Sequence, residues 1–190
     1  GPWSRPARVR ARRGPTRQLT FGRAPACRAN PGTRCGYATP VVSPDGRWLA
    51  FSDYAVQAPA GRWLYVARAD GRDRRTVARV AGTPSFPVPV AWAPDSRRLA
   101  YTAADGIHVV ARDGGADRRV RAESADGKPG WSSDSRRLAF VSSPGNGTGD
   151  TLLVARGRTV RALAHADWLT YAWRPTGDVI AYAGGNGLYL

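Results

Sequence analysis

Ser-Pro-Asp-Gly-Arg-Trp-Leu-Ala-Phe, residues 43–51, is written again as APDSRRLAY at 93–101, SSDSRRLAF at 132–140 and RPTGDVIAY at 174–182. The register advances by 50, 39 and 42 residues between copies. A period near 40 residues built from short strands predicts a β-propeller, one four-stranded antiparallel sheet per repeat. Such a ring is a scaffold, and its function lies in the loops it carries.

Each copy resolves into strands. The first strand ends at the motif: Thr39-Pro40-Val41-Val42, Val90-Ala91-Trp92, Pro129-Gly130-Trp131 and Thr170-Tyr171-Ala172-Trp173. A turn follows, in which Pro44 and Pro94 pre-set φ, Asp45 and Asp95 can bond nearby amides, and Gly46 accepts a left-handed conformation. The second strand alternates, with Leu49 and Phe51, Leu99 and Tyr101, Leu138 and Phe140, and Ile180 and Tyr182 on one face. Between them stand Ala50, Ala100, Ala139 and Ala181, small residues that can receive a bulky side chain from the next blade. Third strands are read at 63–66, 107–110, 152–154 and 188–190. Fourth strands, the most polar, are read at 76–78, 119–121 and 159–163, as expected of an outer edge.

About four blades are thus expected in an all-β chain: three complete ones, with partial blades at each end. The repeats occupy 16–190, as blades near 37–81, 88–122, 127–165 and 169–190, after a basic segment at 1–15 that belongs to a preceding blade. Arg8–Ala11 and Gln18–Phe21 read as a third-and-fourth-strand hairpin. Either the chain is part of a longer propeller, the favoured reading, or its N-terminal strand completes the fourth blade of a small ring. The opening GPWSRP holds no apolar signal core and the chain has no Met, which reads as a segment whose native start has been removed.

With 42% hydrophobic residues, 22 Gly and 15 Pro, the 190-residue chain fits a turn-rich globular protein. No stretch approaches the ~20 apolar residues of a membrane span. The net charge of +15 invites a nucleic-acid or anionic partner. Yet every basic residue but Lys128 is arginine, alongside abundant alanine, as a GC-rich coding bias produces, and the arginines scatter through all repeats. Residues 1–44 do carry nine arginines and no acid, but their only aromatics are Trp3, Phe21 and Tyr37. That is not the stacking pattern of a single-strand binder, and nucleic acid is disfavoured as a partner.

Chemistry is sparse. Gly130-Trp131-Ser132-Ser133-Asp134 approaches a nucleophile elbow but fails at the last position and sits in a repeat turn. His108 occupies a third-strand position held by Tyr65 in the first copy, so packing is expected of it. His165 reads as an inter-blade loop residue beside Asp167. Two isolated histidines make no metal site, and each Asp-Gly pair stands alone in a turn rather than in a calcium loop. Asn146-Gly147-Thr148 matches a glycosylation acceptor within a Gly-rich loop. No catalytic residue, metal or cofactor is expected. Cys27 and Cys35 bracket an Asn-Pro-Gly turn and are placed for a disulfide, which would stabilise by roughly 2–3 kcal/mol; two reduced thiols are the alternative. A disulfide would point to an oxidising compartment.

The order of these elements, Ser-Pro-Asp-Gly then Leu-Ala-Phe, then Leu-Tyr-Val and Asp-Gly, with RQLTFG at 17–22 as a blade end, resembles the TolB-type propeller repeat. The resemblance runs from about Val9 to Leu190. It implies a six- to eight-bladed propeller, commonly extracytoplasmic in bacteria. Such propellers bind proteins or ligands in envelope complexes, or gate substrate entry in prolyl-oligopeptidase-like serine hydrolases. The expected function is a non-catalytic periplasmic or secreted scaffold that binds a protein or small ligand at one face. The alternative is the propeller portion of such a hydrolase. The candidate binding loops are the irregular ones, 27–35 (Arg28, Arg34), 54–61 (Tyr54, Gln57), 82–87 (Phe86) and 143–150 (Asn146), together with His165.

Overall fold

Alternating apolar residues and tight turns carry the described part of the chain, residues 19, 24, 27–28, 35–55, 62–80, 82, 88–121, 125–144 and 148–190 of the computed structural model. Four antiparallel sheets follow one another along it. The first holds β1 (Cys35–Val42), β2 (Trp48–Ala55), β3 (Arg62–Arg68) and β4 (Arg75–Val80) in that spatial order. The second holds β5 (Val90–Trp92), β6 (Arg98–Ala103), β7 (Gly106–Ala111) and β8 (Arg118–Arg121). The third holds β9 (Ala125–Trp131), β10 (Arg137–Ser142), β11 (Asp150–Arg156) and β12 (Thr159–Ala166). The fourth holds β13 (Leu169–Trp173), β14 (Ile180–Gly184) and β15 (Gly187–Tyr189). This up-and-down order, repeated sheet by sheet, is that of a partial β-propeller, as the repeat predicted. The hairpin expected around Arg8–Ala11 and Gln18–Phe21 lies outside the described residues except for Leu19.

Burial explains the alanines. Ala50, fully buried, lies in one cluster with Trp92, Leu99 and Tyr101 of the second sheet. Ala100 clusters with Leu138 and Phe140 of the third, and Ala139 packs with Trp173, Ile180 and Tyr182 of the fourth. A side chain the size of one methyl lets the next blade's large residues close against it at the density of a protein interior.

Tryptophan closes the first strand of the second, third and fourth sheets and reaches backwards. The indole N–H of Trp92 donates to the Val41 carbonyl at 2.9 Å, that of Trp131 to Ala91 at 3.3 Å, and that of Trp173 to Gly130 at 3.0 Å. Val42 holds the corresponding place in the first sheet and is 58% exposed.

The motif turns are wired likewise. Ser43 donates to the Asp45 carboxylate and accepts the Trp48 N–H at 3.0 Å, while Arg47 N–H donates to Asp45 at 3.0 Å. Ser132, Asp134, Arg136 and Arg137 repeat the pattern. Gly46 (φ +70°) and Gly177 (φ +80°) adopt the left-handed conformation, but Ser96 (φ +57°) and Ser135 (φ +60°) adopt it too. Their hydroxyls accept the backbone N–H of Asp45 at 3.1 Å and of Asp95 at 2.9 Å, one blade back. Serine tolerates a disfavoured backbone there because it links neighbouring blades.

A bulge recurs in every complete outer pair, between Leu64 and Tyr65, Ile107 and His108, and Leu152 and Leu153. The extra residue on the outer strand is apolar each time: Val77, Val120 or Leu163. Val77 enters the cluster against the second sheet, and Val120 packs against that of the third. In these two sheets the bulge re-aims an otherwise polar edge strand so that one more apolar residue faces the next blade, whereas Leu163 is 47% exposed.

Candidate functional site

Strand direction assigns every connection to one of two rims. The β1–β2, β5–β6, β9–β10 and β13–β14 turns share a rim with the β3–β4, β7–β8 and β11–β12 turns. The connections within β2–β3, β6–β7, β10–β11 and β14–β15, and those between sheets, leave from the opposite rim. Of the candidate residues, Tyr54 pairs with Gly36 next to the Cys35–Ala55 pair, at this loop rim. Cys27 is bonded to Cys35, with Cα atoms 5.4 Å apart, and so brings the exposed Arg28 to the same rim. Arg34, Gln57, Phe86 and Asn146 lie outside the described residues.

His165 departs from expectation. It stands on β12 rather than in a loop, opposite Thr151, whose hydroxyl lies 3.0 Å from its Nδ1. An exposed outer strand needs no apolar face, and the bulge carries pairing on to Ala166.

Between the third and fourth sheets a cleft of about 770 Å³ opens along the inner strands β9 and β13. Lys128, Gly130 and Trp131 form one wall, Thr170, Tyr171 and Trp173 the other, and Ser143 and Asp150 stand at the loop-rim end. Its size and mixed lining suit a ligand or a partner's side chains. The β9–β10 register breaks between Ala139, which pairs with Gly130, and Val141, which pairs with Asp126. The Tyr171 hydroxyl lies 2.7 Å from the Ala139 carbonyl and 3.0 Å from that of Lys128. Burial pushes this phenol well above its ordinary range, so it is a neutral donor. A Cβ on Gly130 would come within 3.0 Å of the Tyr171 ring, so glycine here permits the aromatic to lie on the backbone. Asp150 accepts the Ser143 hydroxyl at 2.6 Å and the Leu169 N–H at 3.1 Å, tying the start of the fourth sheet to the third.

Ser143 and Asp150 bound the candidate loop 143–150, but the strand residues of the two walls were not singled out as a site from sequence. One signal was present: Tyr171 is an aromatic at a first-strand position held elsewhere by Pro40, Val90 and Pro129.

Elsewhere on the molecule, polar side chains are engaged in structure. Ser132, from the near-miss elbow, donates to Asp134 at 2.6 Å within its turn. His108 stacks on Tyr101 at 5.1 Å as Tyr65 stacks on Phe51 at 5.3 Å, which is the packing role its position implied. Its ring nitrogens face Asp105 at 3.1 Å and Asp117 at 3.3 Å, and Tyr101 donates to Asp117 at 2.8 Å. Burial raises the Tyr101 phenol, and Asp117 adds to it. The fully buried Asp53 accepts the Trp63 N–H at 2.8 Å and the Tyr65 O–H at 3.2 Å. Hydrogen bonds from Ser43 and Ser132, then from the Arg47 and Arg136 amides, hold Asp45 and Asp134 below the usual carboxylate range. Among the described residues no three His, Cys, Asp or Glu side chains converge as metal ligands. No helix among them is long and apolar enough to cross a membrane.

Known proteins share this fold. The chain is similar to TolB from Acinetobacter baumannii at 14% identity (TM-score 0.56), over 79% of this chain and 41% of that one. It is similar to the β-propeller domain of the Trilobed protease from Pyrococcus furiosus at 12% identity (TM-score 0.57), over 82% and 56%. Prolyl oligopeptidase B from Galerina marginata matches at 15% identity (TM-score 0.58), over 78% of this chain and 25% of that one. No family model matches the sequence, and no curated protein does. The fold is therefore that of a TolB-like β-propeller, and this chain spans little more than half, or less, of each of these structures.

Proposed function

We propose that the chain is a non-catalytic, extracytoplasmic propeller segment that binds a protein or small ligand at its loop rim. The observation that carries this reading is the convergence there of non-repeating features. The disulfide-tied segment, Tyr54, His165 and the mouth of the cleft between the third and fourth sheets share one rim. TolB among the structural neighbours supports the scaffold role, and the Cys27–Cys35 disulfide supports an oxidising compartment. A second reading, the propeller portion of a prolyl-oligopeptidase-like hydrolase, is supported by the oligopeptidase among the neighbours.

Site-specific photo-crosslinking in an envelope extract of the producing cell tests the binding face. A crosslinker at Thr170, beside the cleft, is expected to give a discrete adduct, and one at Arg79 on β4 none. Adducts of equal yield at both positions, or none at Thr170, overturn the reading.

A further inference from the structure

We propose that the turn rim, opposite the loop rim, is a docking face for an acidic polysaccharide. In sequence the arginines scatter. In the fold they do not. The turns of this rim, 43–47, 69–74, 93–97, 112–117, 132–136, 157–158 and 174–179, hold eight arginines and eight aspartates. The strand residues flanking them add Arg68, Arg75, Arg98, Arg118, Arg137 and Arg156, and no acid. At the loop rim, about 20 Å away at the other end of the strands, there is no such excess. Its described residues carry Asp105, Asp150 and Asp167 against Arg28, Arg62 and Arg121. The chain is electrically polarised along its strands.

Part of this positive charge is structural. Arg112 lies 4.2 Å over the Trp48 ring and donates to the Ser96 carbonyl. Arg98 lies 5.0 Å over Trp131 and pairs with Asp95, and Arg137 pairs with Asp178 at 2.7 Å. Three arginines are different. Arg47, Arg97 and Arg136 occupy the same turn position in successive blades and are exposed. Their backbone N–H groups are fixed by Asp45, Asp95 and Asp134, while their guanidiniums make no ion pair within 4.0 Å among the described residues, and Arg47 and Arg136 act on Asp45 and Asp134 only at longer range. Packed sheets lie ~10 Å apart, so the first three blades set out one such guanidinium each, about a sheet spacing from the next, and Asp178 takes the position in the fourth.

A regularly charged linear polymer fits such a row, and guanidinium engages carboxylates bidentately. The aromatics of this rim point away from single-stranded nucleic acid. Trp48 is covered by Arg68 and Arg112, and Trp131 by Arg98, so they offer no open ring pair for base stacking. They equally lack the exposed aromatic belt of a membrane-seated surface. This surface is independent of the loop-rim reading, and either stands without the other.

The test uses the 190-residue chain and alginate, a carboxylated polysaccharide, on a biosensor surface. Binding is expected at about 10 mM salt, where charges interact over ~30 Å, and should weaken steeply by 0.15 M, where the range falls to ~8 Å. The Arg47→Ser/Arg97→Ser/Arg136→Ser variant should lose about tenfold in affinity, three exposed contacts' worth. The Arg79→Ser/Arg119→Ser/Arg161→Ser variant makes the same charge change on the outer strands and should lose less than about twofold. The corresponding Arg→Lys rim variant guards against misfolding: it keeps the charge but loses the bidentate fork, and should bind more weakly than the parent and more tightly than the serine variant. Equal loss in both serine variants, no alginate binding at low salt, or tighter binding to single-stranded DNA or anionic vesicles would each overturn the proposal.

Discussion

The two rims of this propeller are made of the same strands and behave differently. At the turn rim, contacts come in copies: an indole to the previous blade's carbonyl, a left-handed serine hydroxyl to the previous turn's amide, an aspartate to the next arginine's N–H. At the loop rim, contacts are singular. Asp53 serves Trp63 and Tyr65, Thr102 reaches Gly127, and Asp150 bridges Ser143 and Leu169. A contact that recurs in each blade holds the stack together, and one that occurs once answers to a local demand. The turn rim adds a refinement. Residues of the motif that point inward build the stack, whereas those that point outward are multiplied by it into an array.

The contrast is broken most severely by removing a repeated indole. Trp92 is 7% exposed and packs in the cluster joining the first two sheets. Trp92→Ala should destabilise by about 3–5 kcal/mol, from the lost apolar burial and the cavity left behind. Trp92→Phe keeps most of the ring and loses the hydrogen bond to Val41, at about 1 kcal/mol. Urea unfolding followed by circular dichroism measures both. If Trp92→Ala unfolds at the parent's midpoint, the repeated contacts do not hold the stack.

Legibility in the sequence divides along the same line. The period, the alternation in the second strand and the small alanine were readable, because each copy solves the same packing problem with the same residue types. The bulges opposite Leu64, Ile107 and Leu152 were not readable, since one extra apolar residue in a polar strand leaves the composition unchanged. Nor was the left-handed serine, whose role depends on a neighbouring blade's amide. His165 was misplaced because polarity marks an exposed edge strand and a loop alike. The polarisation of charge was hidden for another reason. Residues 47, 97 and 136 are far apart along the chain and become neighbours only when each turn is assigned to a rim.

At the loop rim the corresponding disruption is covalent. Cys27–Cys35 closes a loop with a sequence separation of 8. The Cys27→Ser/Cys35→Ser variant should lose about 2–3 kcal/mol by freeing that loop in the unfolded chain. Reduction of the parent should reproduce the loss, and the variant should be indifferent to reductant. Thiol titration of the native protein is expected to find no reactive thiol; two would contradict the disulfide and remove its argument for an oxidising compartment.

The smallest effect sharpens the contrast most, because it separates backbone strain from the link between blades. Ser135 combines a left-handed φ of +60° with acceptance of the Asp95 N–H at 2.9 Å. Ser135→Ala keeps the strain and removes the acceptor, so it should cost about 1–2 kcal/mol. Ser135→Gly also removes the acceptor but relaxes the backbone, a gain of about 1 kcal/mol that offsets most of the loss. Alanine should therefore be clearly worse than glycine at 135. At Gly46, which makes no such link, alanine should lose about 1 kcal/mol from strain alone. Chemical denaturation of the three variants decides the point. If Ser135→Ala and Ser135→Gly unfold together, the left-handed backbone carries no strain at this turn, and serine is there for its hydroxyl alone.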